Sequence, residues 1–356
     1  MDEDEACSSP VPLPIQVDGL DARWATEVLR TRVPGVTVTR LDVLSARAGS
    51  SSTFRLALDY ASGSSADLPA TLYLKGNFDL GADHGLLPDY EVEVGFYRRF
   101  SADFEPFVPH CWFAGIDRNS GQALVLLEDL TATGARFCTA PDPLSVDTVR
   151  GGLEFLARLH GRWWGGPLPR LRNARTDGTD DAASDVLFHP VHWARSLDSE
   201  AGALLPATFR DREFLAPRMA RLFERNREIP LCLVHGDAHP DNWFVRADGT
   251  AGLFDWGPYA GTWAREVAYF LVGALAIEDR RRAERELVGH YLDALARSGG
   301  PKLELDDAWD AYRWNITNGV FWFLCPPQSQ AQAVINANVE RFVAAALDHD
   351  SIALLD

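Results

Sequence analysis

A short apolar frame, Leu233-Val234 and Trp243-Phe244-Val245, encloses His235, Asp237, His239, Asp241 and Asn242. Polar groups crowded into such a frame must be hydrogen-bonded, metal-bound or reactive, because burying them unpaired costs kcal/mol each. Four residues separate Asp237 from Asn242, and Asp255 follows thirteen positions later in GLFDWG, at the end of another apolar run. Phosphoryl transfer from ATP calls for this set of groups. A carboxylate orients the attacking hydroxyl and takes its proton, while an Asn and an Asp hold Mg²⁺ against the phosphates. Oxygen donors suit that hard cation. The catalytic-loop pattern H-R-D-x-x-x-x-N has the same Asp-to-Asn spacing, with Gly236 here in place of the Arg. In this reading Asp237 is the base, and Asn242 and Asp255 are metal ligands.

The remaining parts of such a site lie upstream. GVTVTRLDVLSA (35–46) and TFRLALDY (53–60) alternate and are rich in β-branched and aromatic residues, so they read as strands. The link RAGSSS places Ser50, Ser51 and Ser52 where backbone N–H groups can cover phosphates, though it is not G-x-G-x-x-G. A third strand, ATLYLKGN, ends near Lys75, the candidate partner of the α- and β-phosphates. PDYEVEVGFYRRF (88–100) has helical spacing and carries Glu93, the candidate partner of Lys75. Glu91, two residues away, points elsewhere on that helix. HCWFAGID and ALVLLEDL read as two further strands, and Glu128, Asp129 and Leu130 then stand where backbone groups would meet adenine.

After residue 130 the character changes. SVDTVRGGLEFLARLHGRWW is helical, with Val149, Leu153, Leu156 and Leu159 on one apolar face. Residues 165–188 are rich in Gly, Pro and Asp and read as a loop. Short strands return at 231–235, 243–245 and 252–255, and residues 263–349 read as helices. The expected order is a sheet-rich lobe, residues 1–129, then a mainly helical lobe, residues 130–356.

Taken singly, these residues say little. Lys75 alone is as readily a strand-end surface lysine, and Glu93 alone a solvated helix face. His235 reads as a loop-holding residue, and His160 as a satisfied core histidine. Asp241 reads as a solvated or turn residue. His239 is open between bracing the loop and standing near the metal and phosphate. The Trp residues of the second lobe, among them Trp163, Trp164, Trp193, Trp314 and Trp322, read as core before they read as a pocket wall. Two rival classes stand beside the kinase reading. His235, Asp237 and a distal His290 have the style of a 2-His-1-carboxylate iron site, but AERELVGHYLDALARSG reads as helix rather than barrel strand. A catalytically silent, kinase-like nucleotide-binding module is the other.

The joint pattern resembles the aminoglycoside phosphotransferase and choline kinase superfamily, and within it the ecdysteroid-kinase-like (CHK-type) small-molecule kinases. EVGFY, LLEDL, LARLHGRWW, HGDAHPDNWF, GLFDWG and REVAYFL carry the resemblance over about residues 45–275. It implies an α+β, bilobal protein-kinase-like fold and ATP- and Mg²⁺-dependent phosphorylation of a hydroxyl on a small molecule, whether antibiotic, steroid-like, amino alcohol or sugar-like. Two positions depart from the pattern. Gly257 stands where relatives often carry Gln or Glu, and Glu266 where they usually carry a bracing Asp.

Composition narrows the partners. The chain has 356 residues, 46% hydrophobic and 24% charged, as an ordinary globular protein does. A net charge of −17 speaks against nucleic acid and anionic membrane, and permits a cationic acceptor. Of 34 basic residues only Lys75 and Lys302 are lysine, which draws attention to the ammonium at position 75. The acidic start, MDEDEACSSP, lacks a signal-peptide core. The cysteines at 7, 111, 138, 232 and 325 are scattered and lack a CxxC pair, as free thiols of a reducing compartment would be. The expectation is a cytoplasmic enzyme with no evident obligate protein partner.

Overall fold

The computed structural model describes residues 8–47, 51–64, 67–78, 87–166 and 187–356, without the side chains of 87–89. Ser50 and most of the 165–188 loop therefore lie outside the described residues. The chain forms two compact units. One comprises residues 1–136 and 254–257, the other 137–253 and 258–356.

The first unit is built on a five-stranded antiparallel sheet. Its strands are β1 (Val38–Arg47), β2 (Ser52–Tyr60), β3 (Thr71–Gly76), β4 (Cys111–Asp117) and β5 (Gln122–Glu128), in the order β1-β2-β3-β5-β4. Strict alternation makes β2 two-faced. Phe54, Leu56 and Leu58 are buried, with half-buried residues between them. β3 continues the pattern, burying Leu72 and Leu74 on the face that helix α1 (Ala22–Arg30) covers through Trp24, Val28 and Leu29. Asp21 caps α1 by accepting from the Trp24 amide at 2.7 Å. The same alternation turns Lys75 to the opposite face, where it meets helix α2 (Leu87–Arg99).

The second unit is mainly helical. Helix α3 (Val146–Arg162) starts at Ser145, whose hydroxyl accepts from the Thr148 amide, and buries Val149, Leu153, Leu156 and Leu159. It packs against α6 (Ile277–Arg297). Between them in sequence come α4 (Arg212–Glu228) and α5 (Trp263–Ala274), and α7 (Leu305–Asn315) and α8 (Gln332–Asp348) follow. Two small antiparallel ladders are embedded among the helices. β7 (Leu231–Val234) pairs with β10 (Tyr259–Thr262), and β8 (Trp243–Val245) pairs with β9 (Ala251–Leu253) and joins β6 (Arg136–Phe137). Helix α6 is laced by Arg280–Glu284, Glu278–Arg281 and Asp279–Arg282 pairs, and its His290 bonds Glu154 of α3 at 2.9 Å. That helical, carboxylate-bonded His290 removes the barrel strand the iron reading needs. Among the described residues no group of three or more His, Cys, Asp or Glu could hold a metal, and no helix is long and apolar enough to cross a membrane.

Candidate functional site

The chemistry-bearing residues fall into two groups, one in each unit. In the first unit Lys75 Nζ lies 2.7 Å from Glu93 Oε2 and also bonds Asp255 Oδ1. Glu93 is buried, whereas the Asp255 side chain is half exposed. Burial lowers the Lys75 pKa, but the two carboxylates outweigh it and raise it, so the ammonium persists. Asp255 adopts φ 62°, in the left-handed region that Asp tolerates better than most residues. The next residue, Trp256, stacks on Phe96 of α2 with ring centroids 3.7 Å apart, so a helix holds the segment that carries Asp255.

The start of β2 is tied down at both described serines. Ser51 bonds the Tyr90 hydroxyl, and the Ser52 hydroxyl donates to the Phe78 carbonyl at 2.9 Å. Beyond β5, Glu128 is anchored to the backbone of His110, donating its amide at 2.8 Å and accepting on Oε2 at 3.2 Å. Asp129 is buried, accepting from Arg55 Nε at 2.7 Å and from the amide of Thr131 at 3.1 Å. Burial raises its pKa, but Thr131, Arg55 and Thr71 more than compensate and bring it down to about 2. The Leu130 carbonyl accepts from the Ala135 amide, and among the described residues its own amide has no partner. Residues 128–130 are thus fixed by their neighbours with a backbone donor to spare.

In the second unit strand β7 stops at Val234 because the next two amides turn to a side chain. His235 N and Gly236 N donate to the Glu266 carboxylate at 3.0 and 2.9 Å. Gly236 has φ 100°, which any side chain would strain. Glu266 also meets His160 Nε2 at 2.9 Å, and His160 Nδ1 meets the Tyr291 hydroxyl at 2.8 Å. Burial disfavours the Glu266 charge, yet His160 and the loop amides hold its pKa below the usual range. The longer carboxylate therefore does brace this loop, and His160 is the core residue that orients it. His235 accepts the Asp237 amide on Nδ1 at 3.2 Å.

Asp237 is left with an exposed side chain. Asn242, at the end of a one-turn helix opened by Pro240, donates from Nδ2 to the Asp237 carbonyl at 2.8 Å. Among the described residues its Oδ1 accepts nothing, so an oxygen donor remains. Asp241 is a pin rather than a solvated turn residue. It accepts from Thr139 Oγ1 at 2.8 Å and from the Ala140 amide at 3.0 Å, 102 and 101 positions away in sequence. Nothing local in the sequence signals those partners. His239 is buried between the carboxylates of Asp237 and Asp241, 3.5 and 3.6 Å away. Burial opposes its charge, but the two acids prevail and lift its pKa to about 9.

The phosphotransferase enzyme family APH matches residues 110–314, more than half of the chain. No curated protein sequence matches. An ethanolamine kinase from Plasmodium vivax superposes with a TM-score of 0.53 at 11% identity, over 88% of this chain and 83% of that one. A spectinomycin phosphotransferase, solved with ADP and spectinomycin, gives 0.50 at 12% over 96% and 100%. A choline/ethanolamine kinase family protein from Mesorhizobium loti gives 0.50 at 14% over 88% and 92%. At these identities the likeness is one of fold: an antiparallel sheet followed by a helical region, as in small-molecule kinases. The chain belongs to the APH phosphotransferase enzyme family and is a phosphotransferase of α+β, protein-kinase-like fold.

Proposed function

We propose that the protein transfers the γ-phosphoryl group of ATP, with Mg²⁺, to a hydroxyl of a small molecule. Residues 1–129 form the nucleotide-binding lobe, and residues 130–356 carry the catalytic loop and the acceptor site. The observation that carries this reading is the Lys75 ammonium, on a side chain only 16% exposed, shared by Glu93 and Asp255. A triphosphate offers Lys75 a replacement counter-charge, which frees the half-exposed Asp255 carboxylate for a cation. The donor chemistry fits Mg²⁺. Asn242 Oδ1 and the Asp255 carboxylate are the hard oxygen donors that would hold it. Bound, the ion would neutralise charge on the phosphate oxygens. Glu93 keeps Lys75 in place, residues 128–130 receive adenine through the backbone, and the Ser50–Ser52 turn covers the phosphates. Asp237 orients the acceptor hydroxyl and takes its proton.

The acceptor class is drawn from the family's range of amino alcohols, antibiotics, steroid-like compounds and sugars. Ethanolamine and spectinomycin, for which two of the fold relatives are named, belong in the first panel. The net charge of −17 favours cationic members of it. Free thiols at Cys111, Cys138, Cys232 and Cys325 accord with a reducing, cytoplasmic setting. The test is Mg²⁺-dependent ADP release across the panel, wild type against Asp237→Asn. Acceptor-dependent release that vanishes in the variant supports the reading. Absence of nucleotide binding overturns it.

A further inference from the structure

Two histidines flank the catalytic loop, and they are held in different ways. His160 is saturated, with one nitrogen 2.8 Å from Tyr291 and the other 2.9 Å from Glu266. His239 is almost as buried, but both of its nitrogens face carboxylates at 3.5 and 3.6 Å, just beyond hydrogen-bond length. At that length the contacts are charge pairs rather than hydrogen bonds, and with the burial of the ring they set its direction. Asp241, on one side of the ring, is locked to Thr139 and Ala140. The ring packs edge-to-face with Trp322, their centroids 5.3 Å apart. The imidazole is thus immobilised, and its Nε2 points at Asp237.

Asp237 needs such a guide. It sits outside regular structure with an exposed side chain, whose free rotation would scatter the base over several rotamers. Two groups approach its carboxylate: His239 Nε2 at 3.5 Å and Asn242 Nδ2 at 3.4 Å. Both approach the same oxygen, Oδ2. Among the described residues Oδ1 has no partner. We propose that His239 is a positioning residue which, with Asp241 as its anchor, fixes the Asp237 carboxylate by Oδ2 and so presents Oδ1 to the acceptor hydroxyl. This rests on Asp237 being the base.

The test uses the full-length protein, with the panel compound that gives turnover, or water as acceptor in ATP hydrolysis if none does. Nucleotide affinity is read with MgADP as the probe. Misplacement of a reacting group by about 1 Å costs about 10²-fold in rate. His239→Leu, which keeps bulk but no polar atom, should lower kcat by about that factor. MgADP affinity should stay within about twofold, and Tm should move no more than about 4 °C. His239→Gln retains an N–H donor and should recover much of the loss. Asp241→Asn frees the ring's anchor and should lie between them, and it carries the test alone if His239→Leu does not fold. Wild-type kcat in the His239 and Asp241 variants, with Asp237→Asn dead, overturns the clamp and leaves the base intact. A kcat loss matched by equal losses in MgADP affinity and Tm overturns it in favour of a purely structural role. Turnover that survives Asp237→Asn overturns the base assignment, and the clamp with it.

Discussion

Two polar groups in this protein solve the burial problem by different means. Around Lys75 the solution is side chain to side chain: Glu93 and Asp255 match an ammonium, and the arrangement is a balance of charges. Around Asp237 the solution is side chain to backbone. Glu266 takes two loop amides, His235 takes a third, Asn242 takes a carbonyl, and Asp241 takes the Ala140 amide. The first arrangement can exchange a partner, as a site for a charged ligand must. The second cannot without unfolding the loop, which suits a base whose position matters more than its charge balance. Lesions in the two groups should therefore appear in different constants.

The largest effect separates chemistry from scaffold within the loop. Asp237→Asn keeps the shape and removes the base, so kcat should fall by about 10³-fold, within the range for general-base loss. MgADP affinity should hold. Retained turnover in a kinetic assay would contradict the assignment. Next comes the brace. Glu266→Ala leaves the His235 and Gly236 amides and His160 Nε2 without their partner in a buried place, and should cost about 3–5 kcal/mol in urea unfolding. A loss below about 1 kcal/mol would mean that water or a shifted backbone replaces the carboxylate.

How much of this is legible in the sequence differs between the same two groups. Period-2 alternation gives β2 and β3 directly, and with them the face on which Lys75 emerges, because its neighbours Leu72 and Leu74 are plainly core. The HGDAHPDN stretch and GLFDWG mark the reactive residues by type and spacing. The bracing is not legible. Whether Glu266 can reach where an Asp is usual depends on one methylene of side chain and on where the backbone of α5 lies. Asp241 looks like a turn residue because its partners are a hundred positions away. β10, Tyr-Ala-Gly-Thr, is too short and too small-sided to announce itself, and shows as a strand only through its pairing with β7. Periodicity records which face is buried; it carries no record of which long-range partner a polar side chain will find.

A third lesion tests the exchangeable group. Glu93→Gln keeps the shape and a hydrogen bond to Lys75 but removes one of its two counter-charges. The ammonium then leans on Asp255, and the carboxylate meant for the cation is harder to free. KM for MgATP should rise by about tenfold, equivalent to about 1.4 kcal/mol, with kcat changed less. Equal falls in kcat and kcat/KM would instead place Glu93 in the chemical step and blur the contrast between the two groups.

The smallest effect concerns the segment at residues 128–130, where a charge and a backbone contact act together. Asp129 bonds Arg55 and the Thr131 amide, and its pKa is brought down to about 2 against an ordinary value of about 3.9 in the unfolded chain. A depressed carboxyl stabilises the fold above its unfolded pKa, and that contribution fades as pH falls from about 4 towards 2. Asp129→Asn should therefore cost no more than about 2.6 kcal/mol at pH 7, and the gap to wild type in urea unfolding should narrow between pH 5 and pH 3. The same variant should weaken MgADP binding modestly, since the freed segment presents the Leu130 amide less rigidly. A gap that is flat with pH would show that the Asp129 charge contributes nothing and that its hydrogen bonds alone hold the segment. The region would then belong with the backbone-braced loop around Asp237 rather than with the charge-balanced group around Lys75.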